Sequence, residues 1–242
     1  MTGKSTAPLL DGAAQARARV AWNAPGEVRD AKPSSLEIHH TPWWRHIYLD
    51  YRRYRATGDK LMRIVLTQGF WASCVYRVSR AAVMGARPRF LRIPARVIAV
   101  LAQKLIEILT GICMPPKCEI GEGLYIGHYG AIIFPAHGRI GHNCSVAQNI
   151  TIGVAGKGEA RGAPTIGNRV FIGAHSVVVG KITIGEDAMI CAGSVVTRSV
   201  PARAVVMGNP ARVVSYEGSF DHVLYDGMET DLDRCKSRDA AT

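Results

Sequence analysis

The chain has 242 residues, 48% of them hydrophobic, with 30 Lys and Arg against 19 Asp and Glu and a formal charge of +11. This is globular composition for one large domain or two small ones, and it excludes disorder throughout. The 25 glycines follow no three-residue period, which excludes a collagen-like chain.

Six cysteines (Cys74, Cys113, Cys118, Cys144, Cys191 and Cys235) are widely spaced, with no Cys-x-x-Cys. The opening MTGKSTAPLLDG lacks the apolar core of a secretory signal, so a reduced, cytoplasmic protein is expected. The longest apolar stretch, 97–113, is interrupted by Gln103, Lys104 and Glu107, and no segment is expected to cross a membrane. Residues 1–118 carry 19 Lys and Arg against 7 Asp and Glu (+12), whereas 119–242 carry 11 against 12 (−1). A basic half of this kind suits acidic lipid, nucleic acid or an anionic polymer. Its arginines are scattered among apolar residues, however, and the plainer reading is a solvated helix surface.

In chain order, residues 1–40 read as a loose N-terminal tail and 41–113 as a helical region. A first helix is expected over 43–56, where Trp44, Ile47, Tyr48, Tyr51 and Tyr54 recur at helical spacings and Gly58 follows as a stop. A second is expected over about 60–84 and a third over about 94–109, punctuated by Gly85, Pro88, Gly111 and Pro115-Pro116. Aromatics at this spacing read as core, and no nucleic-acid-binding signature accompanies them. From residue 120 aliphatics recur every six: Ile120, Ile126, Ile132; then Ile140, Val146, Ile152; then Ile166, Ile172, Val178, Ile184, Ile190, Val196. A short fixed repeat means stacked coils, here over 114–215, with 216–242 as a C-terminal tail. Each six-residue unit supplies one short strand and one corner of a triangular prism. The steps from Ile132 to Ile140 and from Ile152 to Ile166 are longer than six, and polar, Gly-rich loops are expected there.

The segments IGEGLYIGHYGAII (120–133), GHNCSVAQNITIGVAGKG (141–158), APTIGNRVFIGAHSVVVGKITIG (163–185) and AGSVVTRSVPARAVVMGNPARVV (192–214) resemble the hexapeptide-repeat acyltransferases, most closely the serine acetyltransferase branch and its sugar and polysaccharide O-acetyltransferase relatives. The resemblance implies a mainly β fold: a left-handed parallel β-helix of hexapeptide repeats preceded by an α-helical N-terminal region. It implies acetyl-CoA as the acyl donor, no metal, and a homotrimer or dimer of trimers with the donor held between prisms.

On the same ground His128, in the IGH segment, corresponds to the catalytic base. Gly156 and Lys157, in a loop that also carries Arg161, correspond to the donor loop, and Gly173, Ala174, Ala192 and Gly193 to the late-coil backbone beside the pantetheine arm. Arg198 and Arg212 are candidate phosphate contacts, with solvated arginines as the alternative. The sequence departs from serine acetyltransferase at Gly127, where that enzyme has Asp, at Gly162-Ala163-Pro164, where it has Arg-His-Pro, and near Cys113, where it has an upstream Asp.

These losses leave serine and a saccharide hydroxyl both open as acceptors, with Glu107, Glu119 and Glu122 the nearest carboxylates in sequence. No nucleic-acid partner is expected, and peripheral contact of the basic half with an anionic membrane or polymer is open. Remoter alternatives are a gamma-type carbonic anhydrase, with zinc on His128, His137 and His142, and a non-catalytic trimeric scaffold. His175 and His222 read as surface residues.

Overall fold

The computed structural model describes residues 42–85 and 88–239, so the expected tail over 1–40 lies outside the described residues. The chain begins with α1 (Trp43–Ala56), α2 (Leu61–Leu66), α3 (Gln68–Met84) and α4 (Arg89–Thr110), and ends with α5 (Leu232–Asp239).

The helix expected over 43–56 is α1. That expected over 60–84 is two helices, because Thr67 is extended (φ −81°, ψ 117°) between α2 and α3. The cause lies in tertiary packing: Gly69, in the first turn of α3, lies so close to Ile126 that a Cβ there would stand 2.2 Å from its carbonyl oxygen. The start of α3 is thus drawn onto the coil while most of α2 stays exposed. The third helix begins at Arg89, after Pro88, and runs through Pro94. Proline there removes one helical hydrogen bond; α4 offsets this by packing on α3, with Ala99 and Ile106 buried and the Ser79 hydroxyl donating to the Ala99 carbonyl (3.4 Å).

Beyond α4 the chain winds into a three-faced coil. The first face stacks β1 (Ile112–Cys113), β4 (Ile132–Ile133), β7 (Thr151–Gly153), β10 (Val177–Val179) and β13 (Val195–Val196). The second stacks β2 (Glu119–Ile120), β5 (Arg139–Ile140), β8 (Thr165–Ile166) and β11 (Thr183–Ile184). The third stacks β3 (Tyr125–Ile126), β6 (Ser145–Val146), β9 (Phe171–Ile172), β12 (Met189–Ile190) and β14 (Val205–Met207), all parallel, and then β15 (Arg212–Ser215), which is antiparallel. The inward aliphatics Ile120, Ile126, Ile140, Val146, Ile152, Ile166, Ile172, Val178, Ile184, Ile190 and Val196 are all at most 2% exposed. Each such burial contributes about 1.5–3 kcal/mol.

Register places the first extrusion differently from the sequence reading. Ile112 pairs with Ile132, Ile120 with Ile140 and Ile126 with Val146, a pitch of 20 residues, but Ile133 pairs with Thr151, a pitch of 18. The two extra residues therefore lie between Ile126 and Ile132, not after Ile132. Ile132 misleads because strand side chains alternate: Ile132 and Phe134 both point inward, and it is Phe134 that keeps the six-residue step to Ile140. The second extrusion lies where expected: Thr151 pairs with Val177, a pitch of 26, and Thr165 with Thr183, a pitch of 18.

The first coil would leave a row of unpaired peptide groups facing the helices, and helix side chains satisfy them. The Arg77 guanidinium donates to the carbonyls of Ile120 (2.7 Å) and Gly121 (2.6 Å), while Asp50 accepts from the Leu124 amide (3.0 Å). These two residues form a buried, two-pronged ion pair (2.9 and 3.0 Å). Burial alone would lower the Arg77 pKa, but the Asp50 carboxylate outweighs it and the net shift is upward. Tyr54 bonds both the carbonyl (2.9 Å) and the amide (3.1 Å) of Ile126, Tyr76 donates to the Cys118 carbonyl (2.7 Å), and Arg80 to those of Pro116 and Cys118 (both 2.9 Å). Arg53, also buried, donates to the Ser145 hydroxyl (2.7 Å). Part of the basic excess read as solvated surface is thus internal.

His46 packs in the same layer. Burial lowers its pKa from 6.5 to about 4, with repulsion from Arg77 and His142 adding to the shift. The unfolded chain takes up a proton at 6.5 that the folded chain refuses, so this contribution to stability is complete above pH 6.5 and lost as pH falls toward 4. Thermal melts across that interval should show the midpoint falling, and His46→Gln should fall less steeply.

At the other end, the segment after β15 folds back on the coil. Arg169 makes a two-pronged ion pair with Asp187 (2.7 and 3.0 Å), and the Ser219 amide donates to the Asp187 carbonyl (2.9 Å). Arg234 of α5 donates to the carbonyls of Val223 and Phe220 (both 2.7 Å).

Candidate active site

His128 sits on the two-residue extrusion, at the corner between the third and first faces. It and Tyr129 are exposed, and among the described residues no hydrogen bond reaches the imidazole. The return of this turn is fixed. The Gly130 amide donates to the Thr110 carbonyl (2.9 Å), and the Gly130 carbonyl accepts from the Asn149 amide (3.0 Å). Gly130 takes φ 97° and Ala131 φ 43°, the left-handed region that a corner this tight requires.

The same edge carries the late-coil residues. Its turns are linked down the stack: Asn149 to Gly130, then the His175 amide to the Gln148 carbonyl (3.1 Å), then the Gly193 amide to the Ala174 carbonyl (2.8 Å). His128, Gly173, Ala174, Ala192 and Gly193 therefore lie along one edge, with the Ala174 turn two coils, about 10 Å, from the His128 turn. The two glycines differ in purpose. A Cβ on Gly173 would stand 2.6 Å from the Ala192 nitrogen, so glycine there permits stacking. Gly193 (φ 70°) has nothing within 4 Å of a Cβ position, so its backbone is bare toward solvent.

The remaining donor candidates lie elsewhere. The loop carrying Gly156, Lys157 and Arg161 leaves the corner between the first and second faces, closed at its neck by paired bonds between Ala155 and Gly162 (3.2 and 3.0 Å). Gly156 (φ 96°) has the Ala160 carbonyl 2.4 Å from a Cβ position, and Lys157 is exposed beyond it. Arg198 and Arg212 come together around a cleft of about 90 Å³ with Thr197 and Pro210.

Of the three carboxylates near the motif in sequence, the structure brings one to this edge. Glu119 pairs with Arg139 (2.6 Å) on the second face, and Glu122 lies at the corner between the second and third faces. Glu107 lies in the last turn of α4, whose C-terminal Thr110 holds the His128 turn. Burial and then the Glu107 carboxylate, which hydrogen-bonds the thiol, raise the pKa of Cys113. A carboxylate from the helix thus stands beside Cys113. Gly111 (φ 68°), which ends α4 and turns the chain into β1, was the sequence signal for this return.

Within one chain the three histidines of the zinc alternative do not meet. His128, His137 and His142 occupy three different corners, and the Nδ1 of His142 accepts from the Glu122 amide (3.3 Å). Among the described residues no three His, Cys, Asp or Glu side chains are grouped to hold a metal ion. His175 and His222 are exposed, as expected. All six cysteines are free, and among the described residues no helix is long and apolar enough to cross a membrane.

Comparison with known proteins places the chain in a family. The bacterial transferase hexapeptide family (six repeats) matches residues 163–198. A serine acetyltransferase of Helicobacter pylori is 32% identical over 160 residues, covering 66% of this chain and 89% of that protein. The structure of soybean serine acetyltransferase complexed with serine superposes with a TM-score of 0.62 at 30% identity, covering 72% of this chain and 70% of that one. That of the Brucella abortus enzyme in complex with coenzyme A gives 0.60 at 26%, covering 72% and 68%. The chain spans 66% and 65% of the length of the first two curated relatives it matches. Its coil is left-handed. With the repeat and these relatives in agreement, the chain belongs to the serine acetyltransferase family of hexapeptide-repeat proteins.

Proposed function

We propose that the chain is an acetyl-CoA-dependent serine O-acetyltransferase with His128 as general base. The observation that carries this reading is an exposed imidazole on an extruded corner, in line with the bare turn backbone at Gly193. The imidazole takes the proton of the acceptor hydroxyl as that oxygen attacks the thioester carbonyl. The carbon–sulfur bond then breaks, and the imidazolium returns the proton to the departing thiolate. The pantetheine arm runs along the edge past Ala174, Ala192 and Gly193, and Lys157, Arg198 and Arg212 meet its phosphates. In one chain the Gly156–Lys157 loop leaves from a different corner than His128, so the reading includes a trimer in which a neighbour's loop completes each site. A reducing cytoplasm suits the six free thiols.

Glu107 favours serine as acceptor, since its carboxylate, beside Cys113 and held otherwise by an exposed pair with Lys104 (2.9 Å), can exchange that solvent-screened partner for the ammonium that Gly127 no longer can hold. A saccharide hydroxyl is the second reading, favoured by the lack of a carboxylate at Gly127 itself. Assays of the full chain with acetyl-CoA should show saturation by serine at millimolar concentration or lower, insensitive to ionic strength because serine is net neutral. Glu107→Gln should raise the serine KM about tenfold and leave the acetyl-CoA KM unchanged. Failure to acetylate serine, with turnover of an anionic saccharide that falls steeply with salt, would overturn the serine reading.

A further inference from the structure

The outer face of α4 is strongly apolar and uncovered. Phe90 (75% exposed), Ile93, Val97, Ile98, Leu101, Leu105 and Ile108 (73%) recur at three- and four-residue spacings along its 22 residues, a stripe about 33 Å long. Its opposite face is the one packed on α3, so the stripe plays no part in the core. Beside it lies a groove of about 460 Å³ between α1, α3 and α4, lined by Trp43, Val78, Ala82, Ile98 and Ala102.

Charge decides what covers this face. Residues 42–110 carry 13 Lys and Arg against 3 Asp and Glu. All three acids are already paired: Asp50 with Arg77, Asp59 with Arg63 and Glu107 with Lys104. Arg92 and Arg96, one turn apart, flank the stripe and are exposed, as are Arg45, Arg55 and Lys60. The same helical face of a second copy would bring like charge to like charge and offer no unpaired carboxylate in return. Anionic headgroups supply the missing charge, and acyl chains suit the stripe and the groove.

We propose that α4 docks this protein on anionic lipid, lying in the plane of the headgroups with its apolar stripe among the acyl chains and Arg92 and Arg96 at phosphate level. The helix does not span, since no described helix is long and apolar enough to cross a membrane. Docking does not depend on which hydroxyl the enzyme acetylates.

Flotation of the full chain with vesicles of equal parts phosphatidylglycerol and phosphatidylcholine tests this. The protein should float with these vesicles, and about tenfold less with phosphatidylcholine alone or at high salt. The double variant Ile98→Glu, Leu101→Glu should no longer float, with helix content and light-scattering mass unchanged. Should that variant fail to fold, Arg92→Gln with Arg96→Gln, both on exposed surface, should weaken flotation severalfold. Absence of flotation with the mixed vesicles, or equal flotation with neutral ones, overturns the proposal. So does a fall in mass of the glutamate variant, which would show that a second copy covers the stripe.

Discussion

Replacing His128 with alanine should lower kcat about 100-fold or more while leaving the affinity for coenzyme A nearly unchanged. In the proposed mechanism the imidazole acts on the acceptor proton, a role felt in the transition state and not in donor binding. The fold should be indifferent to the change: His128 is exposed, and among the described residues nothing hydrogen-bonds to it. The Gly130 and Ala131 backbone that shapes the corner is also untouched. Melting and circular dichroism should therefore match the unaltered chain, so that lost turnover reports chemistry alone. A variant that keeps kcat within about threefold would remove His128 from the mechanism.

Asp50→Ala should be the most damaging single change to stability, costing about 3–5 kcal/mol. It strands the Arg77 guanidinium in the interior and takes the acceptor from the Leu124 amide. For a chain of this size the thermal midpoint should fall by about 10 °C or more. Arg77→Lys should not substitute for the native residue, because one ammonium cannot hold both carboxylate oxygens and the carbonyls of Ile120 and Gly121 in the same geometry. A midpoint shift below about 2 °C for Asp50→Ala would show that the pair does not hold the helices to the coil.

The prism was legible in the sequence because its core repeats: each inward aliphatic from Ile140 to Ile152 and from Ile166 to Val196 falls where the six-residue step places it. The step failed at Ile132, Ile133 and Phe134, where an apolar run satisfies more than one register and only pairing with neighbouring strands decides. That slip hid that the longer turn is the one that carries His128. The break at Thr67 was equally illegible, since nothing local stops the helix; the approach of Gly69 to Ile126, far along the chain, does. Arg53, Arg77 and Arg80 looked like surface charge because their partners, coil atoms and for Arg77 also Asp50 of another helix, lie far along the chain where a sequence cannot place them. Glu107 went unplaced for a related reason: its place beside Cys113 comes from the turn at Gly111, not from nearness in a motif.

A stack of identical coils would add further coils at either end as readily as an amyloid edge adds strands. At the first end Tyr54, Tyr76, Arg77 and Arg80 occupy the positions an incoming coil would need. At the last, β15 runs against β14 and breaks the parallel order of the third face. The helices thus also act as a chain terminator: a shortened protein starting near Ile112 would present a bare template, and its expected fate is head-to-tail fibres instead of discrete particles.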